Sequence, residues 1–206
     1  MAREIGFRKP TVAPVTANTE DTYTTGEPVR LGRGLECKVD RKQDKVEWES
    51  DDTTEKVIYG DPAYDITLTL DTLTDKNRCI LFGGEIIKGV YVPPATNIAK
   101  EVAYLDEILR DDNTYKKRCL YVGTFALPSD DNKTKGKKPD SKGVQLKGTF
   151  YRRLKDGLPE ITLDGSDENR DKELEKQWFV KVPEPPEKTD TPKQDDGSGK
   201  IINPEA

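Results

Sequence analysis

Ala63-Tyr64-Asp65-Ile66-Thr67-Leu68-Thr69-Leu70 decides the fold, because Tyr64, Ile66, Leu68 and Leu70 alternate strictly with Asp65, Thr67 and Thr69. A period of two over eight residues predicts a β-strand with one face on a core and the other in water. Gly60-Asp61-Pro62 supplies the turn that opens it. On its far side, Leu73, Asn77, Ile80 and Leu81 recur at helical spacing across Thr72 to Phe82. Thr74 is placed to cap that helix and Gly83-Gly84 to stop it.

The same alternation recurs upstream. Leu31, Leu35, Cys37 and Val39 alternate with Arg33, Glu36, Lys38 and Asp40, with a slip at Gly32 and Gly34 that suggests a bulge. After the polar turn Arg41 to Asp44, Val46 and Trp48 alternate with Lys45, Glu47 and Glu49. The two runs read as a β-hairpin. Downstream, Arg118 to Leu127 and Val144 to Leu154 read as strands separated by the charged loop Pro128 to Lys142, and Asp156-Gly157 turns the chain into Glu160 to Leu163. Ile98 to Leu109 carries apolar residues at 98, 102, 105 and 109, which fits a helix face or a strand over Val102 to Leu105. Asn169 to Val180 reads as a short amphipathic element ending in Trp178-Phe179.

Six or more strands and one helix predict a mainly β fold: an antiparallel β-sandwich or open barrel with one flanking α-helix. Residues 1–26 mix Pro10, Pro14 and threonines without a core-facing period and read as an N-terminal arm. Residues 27–181 form the β domain. Residues 182–206, rich in Pro, Lys, Asp and Gly and without a large hydrophobe between Val182 and Ile201-Ile202, read as a flexible tail.

Composition narrows the function. The 206 residues suit one core, and 33% hydrophobic against 35% charged residues is polar for that length. The apolar runs fall far short of the roughly 20 residues of a membrane helix, and no secretory signal pattern follows Arg3, Arg8 and Lys9. Cys37, Cys79 and Cys119 are odd in number and widely spaced, which predicts reduced core thiols rather than disulfides or zinc. Histidine is absent, removing the commonest general base and transition-metal ligand and arguing against an enzyme. No catalytic residue, metal site or cofactor is therefore expected. The net charge of −5 carries no footprint of a phosphate-gripping protein.

The acid pairs Asp51-Asp52, Asp111-Asp112, Asp130-Asp131 and Asp195-Asp196 lack the spacing of a calcium loop and read as solvated turns. The glycines form no phosphate-binding fingerprint. The loop Asn132 to Lys138, with Lys133, Lys135, Lys137 and Lys138, reads as a solvated hairpin tip, a contact for phosphate or an acidic partner, or a contact to a neighbouring subunit.

The order of these features resembles the major tail protein family of siphophages, whose members build the tail tube. Gly26 to Gly34 followed by Leu35 to Asp40 resembles that family's opening strand, and Val46 to Asp52 its second hairpin strand with an acidic end. Ala63 to Leu70 leading into Thr72 to Gly83 resembles its strand-then-helix segment. Lys117 to Leu127 and Val144 to Arg153 resemble its second long hairpin. The likeness spans Val29 to Leu163, but Gly84 to Tyr115 has no counterpart and the long acidic tail departs from the pattern.

The resemblance implies a homo-hexamer whose subunits share a continuous inner β-barrel, stacked into a conduit for DNA in a virion tail assembled in the host cytoplasm. It implies tape-measure, tail-terminator and distal tail proteins as partners, and DNA that passes without specific binding. Glu36, Lys38, Asp40, Lys45, Glu47 and Glu49 would line the channel, with an acidic excess that repels phosphate; an ordinary solvated strand face is the competing reading. The arm and the loops bearing Asp51, Asp52 and Lys133 to Lys138 would stack the rings. The rival function is a β-sandwich module binding a receptor or carbohydrate through exposed aromatics such as Tyr59, Tyr64, Tyr91 and Tyr121.

Overall fold

The computed structural model describes residues 2–43, 45–50, 53–96, 99–128 and 143–186, with backbone alone for 45–50 and 53–58. In chain order the strands are β1 (Glu4–Asn18), β2 (Tyr23–Thr25), β3 (Val29–Arg30), β4 (Gly34–Lys42), β5 (Lys45–Ser50), β6 (Thr53–Tyr59) and β7 (Ala63–Leu70). Helix α1 (Asp75–Phe82) precedes β8 (Glu85–Ile87), β9 (Val90–Val92), β10 (Val102–Arg110), β11 (Tyr115–Phe125), β12 (Val144–Tyr151) and β13 (Glu160–Asp164), and α2 (Lys172–Gln177) follows.

All strand pairings are antiparallel. The main sheet runs β2-β1-β10-β11-β12-β7-β4, with β3 on β1 and β13 on β11, and this path has two ends, so it is not a closed barrel. β7 buries Tyr64, Ile66, Leu68 and Leu70 as its alternation dictates. In register with them lie Cys37 and Val39 of β4 and Leu146 and Phe150 of β12, giving one apolar face across three strands. Each fully buried aliphatic side chain contributes about 1.5–3 kcal/mol relative to exposure. α1 begins as expected, with Thr74 accepting from the Asn77 N–H, and ends at Gly83, whose φ of 83° is left-handed. The Asn77 side chain donates to Leu31 O at 2.7 Å, so the helix is tied to the chain before β4.

The strand partners differ from the expected hairpin of 29–40 with 45–49. β4 pairs with β7 and β5 with β6, and the two ladders follow one another, Lys42 opposite Ala63 and then Lys45 opposite Tyr59. Arg41 and Lys42, expected in a turn, thus belong to β4, and the turn-like 60–62 separates β6 from β7. Alternation reports which face a residue occupies and is silent on its partner strand.

The N-terminal segment is not an arm. β1 lies inside the sheet, paired to β10 over most of its length and to β2 and β3 on its other side, with Val12 and Ala13 completely buried. Its prolines masked it. Pro10 sits in the bulge between Arg8 and Thr11, where Lys9 takes a φ of 57°, and both prolines still use their carbonyls, accepting from Leu31 and Gly26. Of the segment 98–109, the part from Val102 onward is a strand. In β10 every residue from Val102 to Glu107 is buried because both faces are covered, which erases alternation.

One apolar cluster lies between the β4–β7–β12 part of the sheet and β10 and β11, including Leu68, Tyr104, Leu120, Phe125 and Phe150, and reaches Leu81 and Phe82 of α1. Gly34 makes room for the Phe7 ring of β1, since a Cβ there would stand 2.0 Å from the ring and displace it. A second cluster on the opposite face joins Ala103, Leu105, Cys119, Tyr121 and Leu163 to Trp178 and Val182. A second helix, α2, thus joins the one expected, capped by Asp171, which accepts from the Glu173 and Leu174 N–H groups. The chain just beyond 181, expected as tail, is packed: Val182 is buried and Tyr121 donates to Pro183 O at 3.0 Å. Arg153, 1% exposed, lies 4.0 Å over the Tyr121 ring and bridges Asp156 and Glu184, locking this layer down.

If β1 is an integral strand, Val12→Asp destabilises the protein by about 3 kcal/mol or more, because it buries a carboxylate without a partner. Chemical denaturation measures this; an unchanged midpoint would restore the arm.

Candidate functional site

The outer face of β4, β7 and β12 is the candidate site. The residues between the buried ones point outward together: Glu36, Lys38, Asp40 and Lys42 on β4, Asp65, Thr67 and Thr69 on β7, and Gln145, Lys147 and Thr149 on β12. Register places Lys38 opposite Thr67 and Thr67 opposite Lys147, so the face is continuous across three strands.

Asp40 and Asp65 are direct cross-strand partners, an arrangement that like charges make unfavourable. Lysines relieve it. Lys38 pairs with Asp40 at 2.7 Å and Lys42 with Asp65 at 2.5 Å, while the Thr149 hydroxyl donates to Asp65 at 2.9 Å. The Lys42 and Thr149 hydrogen bonds hold the Asp65 carboxyl below its ordinary range. Among these residues the charges balance, with acids Glu36, Asp40 and Asp65 against bases Lys38, Lys42 and Lys147. An open groove of about 560 Å³ crosses the face, lined by Asp40, Asp65, Thr67, Lys147 and Thr149 among others.

Beneath the face a polar network pins β4 over β10. The Cys37 thiol lies 3.5 Å from the Tyr104 hydroxyl and 3.7 Å from Asp106, whose carboxylate is bonded to the Arg118 guanidinium of β11. Asp106 is wholly buried, and burial pushes its carboxyl upward against the pull of Arg118. Burial also pushes the Cys37 thiol up to about 11, so it is a protonated packing group rather than a nucleophile. All three cysteines are free thiols. Arg41 adds a second tie, to Glu160 of β13 at 3.0 Å.

The expected site residues divide in three. Glu36, Lys38 and Asp40 are exposed on the outer face, while Leu35, expected inside with Cys37 and Val39, is 55% exposed, because the register slips between Gly34 and Glu36. Lys45, Glu47 and Glu49 occupy alternate positions of β5, opposite Tyr59, Val57 and Thr54, and their side chains lie outside the described residues. Asp51, Asp52, Lys133, Lys135, Lys137 and Lys138 also lie outside them. With the described face balanced, the expected acidic excess falls to the single net negative charge of Lys45, Glu47 and Glu49. Asp65, Lys42, Lys147 and Thr149 are additions: alternation in Ala63–Leu70 marked Asp65 as outward-facing, but Lys42 read as part of a turn, and nothing marked β4, β7 and β12 as neighbours.

Of the tyrosines that a ligand-binding face would use, Tyr64 and Tyr121 are buried, Tyr91 is half-buried and donates to Gly83 O, and Tyr59 is 59% exposed. Among the described residues no group of three or more Cys, Asp or Glu side chains is placed to hold a metal ion, and no helix is long and apolar enough to cross a membrane. No family model matches the chain, and no curated protein matches it.

The site predicts contrasting costs. Glu36→Lys changes stability by no more than about 0.5 kcal/mol, as an exposed strand position, whereas Asp106→Ala costs about 3–5 kcal/mol by leaving Arg118 buried without its partner. Equal losses in equilibrium unfolding would contradict the assignment of faces. The depressed carboxyls of Asp65, Asp156, Asp164 and Glu175 contribute stability above the unfolded carboxylate range of about 4. That contribution is lost as pH falls through their lower folded values, so thermal midpoints measured from pH 5 downward should decline; a rise would contradict the ion pairs.

Proposed function

We propose that this chain is a structural, non-enzymatic subunit of a bacteriophage tail tube. Its two-leaved, sandwich-like sheet opens to neighbours, and copies close the β4–β7–β12 portion across their boundaries into the shared inner barrel of a hexameric ring. Stacked rings form the conduit that delivers DNA, within a virion tail assembled in the host cytoplasm.

One observation carries this reading. Among the described residues β4 is laddered to β7 alone, so a nine-residue strand ends the sheet with its outer edge unpaired and a polar face beside it. Long unpaired edges invite another chain, and closure into a barrel removes them. The ribbon continuing into β5 and β6 extends the same strands toward Asp51-Asp52, which suits it to reach the next ring, with the lysine-bearing loop 133–138 as a second contact. The facing charges alternate in sign and form no basic stripe, so phosphates would find no continuous binding track. Tape-measure protein inside the tube, and terminator and distal tail proteins at its ends, complete the partners of this reading.

Purified full-length protein is expected to form rings or tubes with a central hole in negative-stain microscopy, and native mass spectrometry should find multiples of six. A monodisperse monomer at every concentration and salt would overturn the proposal.

A further inference from the structure

Among the described residues β13 is laddered to β11 alone, from Glu160 opposite Leu120 to Asp164 opposite Lys116, so its outer edge is open. The two ends of this ladder fix which way its backbone groups point. The Tyr121 N–H donates to Pro159 O at 3.2 Å and the Gly165 N–H to Tyr115 O at 2.8 Å. Hydrogen-bonded and non-bonded pairs alternate along an antiparallel ladder, so Ile161 and Leu163 also bond to β11. Glu160 and Thr162, between them, direct their N–H and C=O groups away from it, and Thr162 is exposed.

This edge borders an open groove of about 470 Å³, with α2 across from it and Ile161, Leu163 and Leu174 in its apolar lining. Its charged lining residues are Asp164, Asp167, Arg170 and Asp171. Asp164 is spent on Arg110, and Arg170 on Glu175. Asp167 and Asp171 accept from backbone N–H groups, each through one carboxylate oxygen, which leaves the groove with unspent negative charge. An open strand edge beside a helix is the arrangement by which extended peptides are taken up as an added strand. We propose that the β13–α2 groove binds an extended segment of a partner protein that carries an aliphatic residue and a Lys or Arg at alternate positions. The segment pairs with the Thr162 backbone, and its aliphatic side chain covers Leu163 and Leu174. Its cation, on the same face of the added strand, meets Asp167 and Asp171. The β4 edge takes no part, so this inference stands apart from tube formation.

Fluorescence anisotropy of the full chain with two labelled peptides, TVTKTVTK and TVTETVTE, tests it. The lysine peptide should bind saturably and the glutamate peptide at least about tenfold more weakly, since like charges facing across an interface are penalised. Thr162→Pro removes an outward N–H from an edge strand, where proline is tolerated, and should abolish binding while thermal unfolding stays cooperative. Asp167→Lys, a change on the exposed rim, should reverse the preference between the peptides. Equal affinity for the two peptides, or binding that survives Thr162→Pro, would overturn the proposal. So would the absence of saturable binding: if Thr162→Pro then dissociates self-associated protein in sedimentation, the occupant is a second copy of this chain, and if it does not, no partner strand is added here.

Discussion

The outer edge of β4 is the constraint on which the rest of this molecule turns. Backbone N–H and C=O groups along a strand edge need partners, and proteins either pair, cover or blunt them. Here β4 carries Lys38, Arg41 and Lys42, charges that discourage indiscriminate pairing while leaving the backbone open to a specific neighbour. Everything that fixes β4 in place therefore also fixes how a second copy could add to it.

Three contacts do that fixing, all from the inner face. Phe7 fills the space over Gly34, the Asp106–Arg118 pair reaches Cys37, and Glu160 holds Arg41. A buried ion pair seldom adds much net stability, but it penalises any arrangement in which one partner is stranded. Its effect here is to specify the curl of the sheet: if β4 slides by one residue, Cys37 turns outward and Glu36 turns in against Asp106. The edge is thus presented at a defined height, beside a face on which Asp40 and Asp65 are already neutralised by Lys38 and Lys42.

Much of this was legible in the sequence, and the misses share causes. Ala63–Leu70 displayed its buried face openly, and α1 carried both its cap and its stop, because each is local chemistry. β1 was hidden by Pro10 and Pro14, which are tolerated only because a bulge and the gap between β3 and β2 remove the need for their missing N–H groups. β10 was ambiguous because burial on both faces leaves no period to read. The outer face was half legible: alternation identified Glu36, Lys38 and Asp40, but the Lys42–Asp65 pair beside them depends on β4 lying beside β7, a pairing set by contacts distant in sequence.

Residue-resolved hydrogen exchange of β4, compared between dissociated subunits and assembled particles, tests the central claim most directly. The amides of Gly34–Lys42 that point away from β7 should exchange freely in the subunit and become strongly protected on assembly, while those bonded to β7 stay protected in both. Outward amides that remain equally fast in the assembled state would contradict closure of the sheet across subunits.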